Sequence, residues 1–181
     1  MAKPWERDHT MNPARAIDDQ LVRDLIPKYV DAFTKRFPFA NIEVHFTENG
    51  LPPLPPGIKR DAPKEVFGAF IKAGNTHLIG IHRLLKPPAR LSTFFHEYGH
   101  AIYRIESNED DSEGPGLVRS ETAAMLSSLR LPDEEGLQEV AVVSAAGILV
   151  TVNLADEYRQ AFENISKNPL WLKYAPLAGA V

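Results

Sequence analysis

A chain of 181 residues, 44% hydrophobic and 24% charged, has the length of one domain and buries about 70% of its unfolded surface without disulfide staples. Its 20 basic and 24 acidic residues leave a net charge of −4, which argues against direct nucleic-acid binding, since phosphate contacts demand a basic face. There is no cysteine, so thiolate metal sites and a cysteine nucleophile are excluded, and any transition metal must be held by nitrogen and oxygen.

Residues 1–16 are polar and carry Pro4 and Pro13, the composition of a loosely held arm. They show no leader-like apolar run, so a cytoplasmic protein is expected. Ile17, Leu21, Leu25, Tyr29, Phe33 and Phe37 recur every fourth residue, which predicts a helix with one buried face. Pro27 falls inside it and predicts a kink or two abutting helices. Ile42, Val44 and Phe46 alternate with polar residues as in a half-buried strand. The run Leu51-Pro52-Pro53-Leu54-Pro55-Pro56-Gly57 predicts a stiff surface loop. Strand-like runs at 64–73 and 76–84 flank Gly74-Asn75, a hairpin signal.

Pro87-Pro88 closes that unit, and from about Ala89 the pattern turns helical through Leu91, Phe94, Phe95, Tyr98, Ile102 and Ile105. An acidic loop follows over 106–116, expected to be solvated charge. Helical runs then cover about 117–130, 134–152 and 153–166, before a tail with Trp171 and Tyr174. The apolar run at 140–152 is too short for a membrane span, which needs about 20 residues, so no membrane association is expected. The predicted fold is α+β: a helix, a small, mainly antiparallel sheet of about three strands, then helices only, as one domain over 17–181.

The chemistry lies in His96-Glu97-Tyr98-Gly99-His100. On a helix, residues i and i+4 stand one above the other, so both imidazoles can reach one ion. His96 and His100 project almost opposite the apolar stripe, and Gly99 leaves room beside them for substrate or a neighbouring strand. Glu121 is the favoured third ligand, because it opens another helical run and precedes the small Ala123 and Ala124. Glu106 is too near on the same helix, and Glu109, Asp110, Asp111 and Glu113 fall in the acidic loop. Two histidines and a carboxylate leave a fourth zinc position open, the arrangement of catalytic sites. Glu97, between the ligands, is placed to act as general base. Zinc-dependent hydrolysis of a peptide or protein substrate is therefore expected. The alternatives are a catalytically dormant zinc-binding interaction module, against which Glu97 counts, and a zinc-free chain whose motif is accidental.

The pairing of this motif with a glutamate on a following helix resembles the gluzincin zinc metallopeptidases. The wider stretch, about 64–135, is similar to the ImmA/IrrE-type metallopeptidases of bacteria and phages. Its matching parts are the polar-ended strand Ile79-Gly80-Ile81-His82-Arg83, the motif helix, and a segment from Glu121 that is stopped at Pro132. The resemblance implies a zincin-like fold, a Zn2+ cofactor on His96, His100 and Glu121, Glu97 as the catalytic base, and regulatory proteolysis of a narrow range of protein substrates. It also implies that peptide pairs with an exposed strand edge, on either 64–73 or 76–84. Two features depart from the pattern: Leu91-Ser92-Thr93-Phe94-Phe95 leads into the motif, and Met125 stands where thermolysin-like relatives carry an aspartate that orients a ligand. Candidates for stabilising an oxyanion are His77, His82, Tyr158 and Tyr174. Trp171 and Tyr174 are open to two readings, a plug across the cleft or a cap on the core.

Overall fold

The computed structural model describes residues 15–57 and 65–179. The polar arm expected over 1–16 lies outside them but for Arg15 and Ala16. Helix α1 (Asp19–Arg36) begins where Asp18 accepts a hydrogen bond from the Leu21 amide at 2.9 Å, which satisfies one of the free donors of the first turn. The helix continues through Pro27 instead of splitting there. An internal proline costs about 3 kcal/mol, and here Leu21, Val22, Leu25 and Ile26 before it and Phe33 after it are buried in one core that holds both halves in line.

Three strands follow: β1 (Asn41–Thr47), β2 (Gly68–Ala73) and β3 (Thr76–His82), in the order β1-β3-β2. β2 and β3 form the hairpin announced by Gly74-Asn75, in register Ala73↔Thr76 to Gly68↔Ile81. β1 instead runs parallel to β3, so the sheet is mixed and the expectation of mainly antiparallel pairing holds for the hairpin alone. The physical reason is the strand order: β3, the second strand of the hairpin, lies between β2 and β1 and so runs beside β1 in the same direction, the two separated in sequence by enough residues for a parallel pair. β3, paired on both sides, is buried from His77 to His82, whereas Phe46 near the end of edge strand β1 remains 45% exposed and does not join the core as its alternation suggested. The proline-rich loop is irregular, as predicted, and lies directly on the sheet. A β-carbon at Gly80 would stand 2.4 Å from both the Gly50 carbonyl oxygen and the Pro52 nitrogen, so only glycine lets the loop settle there.

Helix α2 (Pro87–Ser107) starts on the two prolines rather than after them, because the first turn needs no amide donors. Leu91, Phe94, Phe95, Tyr98 and Ala101 bury its apolar face against α1 and the sheet, and Tyr29 meets Phe95 and Tyr98 edge-on at 5.2 and 5.5 Å. Helix α3 (Gly114–Glu134) begins earlier than the pattern suggested and continues past Pro132. Helices α4 (Gln138–Thr151), α5 (Asp156–Ile165) and α6 (Pro169–Ala178) complete the described chain. The tail is thus helical, with Asn168 accepting from the Leu170 amide at 2.9 Å. Trp171 and Tyr174 are buried in a second core with Met125, Leu129 and Ile165, so they cap the core and do not plug a cleft. The fold is α+β, with six helices and a three-stranded mixed sheet among the described residues. None of those helices is long and apolar enough to cross a membrane.

Candidate metal centre

The two cores meet along the packed helices α2 and α3. They pack tightly at Gly99, where a β-carbon would lie 2.8 Å from both Ala124 Cα and Ser127 Cβ. Gly99 therefore admits a helix, not the substrate or strand that the sequence suggested, while Ala124 meets it as the small partner anticipated on α3. Glu121, one turn before Ala124, is thereby brought opposite His96 and His100.

The three donor groups form a triangle. His96 Nε2 and His100 Nε2 are 3.3 Å apart, and they face different oxygens of Glu121, Oε2 and Oε1 respectively, each at 3.4 Å. Ligands held 2.0–2.1 Å from a tetrahedral zinc stand about 3.3–3.4 Å from one another, so each of these separations is compatible with one shared divalent ion. A second observation agrees: Glu121 Oε2 is buried without a hydrogen-bond partner, a costly state for a carboxylate unless a cation fills the gap. His96, His100 and Glu121 thus make a group that can hold a metal ion, with a nitrogen and oxygen donor set suited to zinc among other divalent ions.

Electrostatics point the same way. Burial presses the His100 pKa down, but the attraction of Glu121, reinforced by Glu97 and Asp111, outweighs it and raises the value to about 9. Burial would push Glu121 up, yet the His100 and His96 imidazoles beside it hold its carboxyl well below the usual range. The pair is a proton-bearing imidazole against a carboxylate, from which a cation must displace the proton.

The triangle opens onto a cleft of about 770 Å³ lined by β2 from Gly68 to Lys72 and by Tyr158. The His96 side chain faces it, 26% exposed against 10% for His100 and 6% for Glu121. Glu97 lines the same cleft and is nearly buried, one of its oxygens only 3.3 Å from where a β-carbon at Gly68 would stand. β2 is an edge strand, whereas β3 is enclosed, so of the two strands considered for pairing with peptide only β2 has an open side among the described residues.

The remaining candidates separate cleanly. Tyr158 lies in the cleft, its pKa raised to about 12 by burial and by the charges of Glu121 and Glu97. His77 is a core residue whose ring packs on Phe33 and Phe70 and whose Nδ1 donates to the Asn41 carbonyl at 3.3 Å. His82 contacts Glu65 at 2.7 Å, and the Tyr174 hydroxyl donates to Asp133. The acidic loop is ordered by arginines rather than left to solvent: Arg104 holds Asp111 at 2.9 Å, Arg119 holds Glu109 at 2.8 Å, and Arg36 meets Glu106. None of these carboxylates belongs to the metal-ligating group. Met125, at the place of an orienting aspartate, is buried in the second core. His100 Nδ1 instead lies 2.7 Å from Ser120 Oγ, which reaches Asp111 Oδ2 at 3.2 Å. Sequence reasoning weighed Asp111 only as an alternative ligand and did not find this role for it or for Ser120, which no spacing marks. Comparison of the chain with family models, with curated proteins and with solved structures gives no match.

Proposed function

We propose that the protein is a zinc-dependent peptidase of the gluzincin kind, similar to the ImmA/IrrE-type enzymes. The observation that carries this reading is the convergence of His96, His100 and Glu121, 3.3–3.4 Å apart, in a cleft that Glu97 and the edge strand β2 also line. His96, His100 and Glu121 hold the ion. When bound, zinc polarises a peptide carbonyl and lowers the pKa of water to about 7. Glu97 takes the proton of the attacking water as general base and returns it to the departing amine. Tyr158 keeps its hydroxyl proton up to about pH 12, and donates it as a hydrogen bond to the oxygen that becomes negative. The free edge of β2 offers backbone groups to an extended peptide, which pairs as an added strand and is carried past His96 and Glu97. The cleft thus selects an unfolded or flexible segment of its substrate.

The test is Glu97→Gln. The variant is expected to retain zinc and to cleave an unstructured peptide library about 10²–10⁴-fold more slowly. Undiminished cleavage would refute the role of Glu97, and a wild type that binds zinc yet cleaves nothing would leave a binding module in place of an enzyme.

A further inference from the structure

We propose that Ser120 and Asp111 act in series as positioning residues that fix which nitrogen of His100 faces the metal. The inference rests on the metal reading above and extends it to residues that touch no ligand-binding atom.

A histidine that ligates through Nε2 must carry its proton on Nδ1, and the partner of Nδ1 decides this. That partner is the Ser120 hydroxyl, 2.7 Å away and fully buried. A hydroxyl is ambivalent. It has one hydrogen to give and lone pairs to receive with, so alone it could equally donate to Nδ1 and leave the proton on Nε2, where it blocks the metal. Asp111 removes the ambiguity. Its Oδ2 accepts from Ser120 Oγ at 3.2 Å, which commits the only hydroxyl hydrogen and turns a lone pair toward the imidazole. The Nδ1 proton of His100 then points at Ser120, so the proton that a metal displaces is the one on Nε2, whose lone pair then faces the triangle.

Asp111 is itself held in place. Its Oδ1 accepts from Arg104 Nη1 at 2.9 Å, and Arg104 stands one turn beyond His100 on α2. Arg104 also donates to the Glu109 carbonyl, so one side chain folds the loop between α2 and α3 back onto the helix that bears the motif. Both oxygens of Asp111 are therefore used as acceptors. An amide offers one oxygen only, so Asp111→Asn, nearly identical in shape, disrupts the series with little effect on packing. The relay supplies from a loop the service that Met125 cannot give from α3.

The test measures zinc affinity of the full chain by competition with a chromogenic chelator, for the wild type, Ser120→Ala, Asp111→Asn and the double variant. Each single change is expected to weaken binding about 10–100-fold. Because the residues act in series, the double variant is expected to bind no more weakly than the weaker single variant. Cobalt(II) in place of zinc gives a second readout: its visible bands report the ligand field and are expected to change in Asp111→Asn, which a merely structural role would not produce. Affinities and cobalt spectra indistinguishable from wild type would overturn the relay alone. Losses that multiply in the double variant would show independent structural effects and overturn it too. A wild type that takes up no zinc would overturn the metal reading and the relay with it.

Discussion

Gly99 couples the packing of two helices to the geometry of the site, so Gly99→Ala tests both at once. The added β-carbon would sit 2.8 Å from Ala124 Cα and from Ser127 Cβ, where carbon atoms settle at about 3.5–4.0 Å. Relief requires α2 and α3 to part locally by about 0.7–1.2 Å, since Ala124 Cα is backbone and cannot rotate aside. Overpacking of this kind costs about 1–3 kcal/mol, against which alanine regains about 1 kcal/mol of helix propensity. The net loss is therefore up to about 2 kcal/mol, or a fall in Tm of at most roughly 4–8 °C at this chain length. The site suffers more than the fold. Glu121 moves with Ala124, which stretches the 3.4 Å edges of the triangle, and metal–ligand distances tolerate only about 0.2 Å. Zinc affinity is expected to drop at least about tenfold, measured by chelator competition beside melting of the metal-free protein. Gly147→Ala is the control: that position on α4 is exposed with nothing near its β-carbon, and the change is expected to stabilise by about 1 kcal/mol. Gly99→Ala with wild-type zinc affinity would refute the claim that this contact sets the ligand spacing.

Further outcomes follow from three named groups. His100, raised to about 9, is protonated in the metal-free protein at pH 7, so zinc affinity is expected to fall as pH drops below 9. Calorimetry in two buffers of different ionisation enthalpy is then expected to find about one or more protons released per zinc at pH 7, and none released would contradict this. In the metal-free protein the same shift stabilises the fold fully below about pH 6.5 and is lost as pH rises through about 9, which denaturation at several pH values in the presence of chelator checks. Tyr158→Phe is expected to lower kcat about 10²–10³-fold with zinc affinity unchanged; equal losses in both would make it a structural residue instead. Asp133 accepts from Tyr174 and Lys173, and these bonds hold its carboxyl below the usual range. Asp133→Ala is expected to loosen α6 by about 1 kcal/mol at pH 7, and the difference from wild type is expected to vanish as pH falls through the depressed pKa.

What the sequence reveals is local. The stripe of α1, the Gly74-Asn75 hairpin and the two histidines one turn apart each depend on neighbours within a few residues, where periodicity and turn chemistry act directly. Glu121 was legible because Ala123 and Ala124 beside it signal close packing, although the residue that receives that packing is Gly99 on α2. The parallel pairing of β1 was hidden because it depends on which strand of the distant hairpin lies next to β1. Helix α6 is short and carries Pro169 and Pro176, so its local signal reads as a tail; burial of Trp171 and Tyr174 against α3 and α4 decides the outcome. The partners of His100 were beyond reach for a similar reason, since Asp111 comes to Ser120 only through the grip of Arg104 on the loop.

His96, His100 and Glu121 are proposed to converge on one zinc ion. Elemental analysis of the full chain, purified without chelator and dialysed against buffered submicromolar zinc, tests it directly when run beside Glu121→Ala. About one zinc per chain is expected for the wild type and a large loss in the variant. A wild type without zinc, or a Glu121→Ala variant that keeps its full complement, would contradict it.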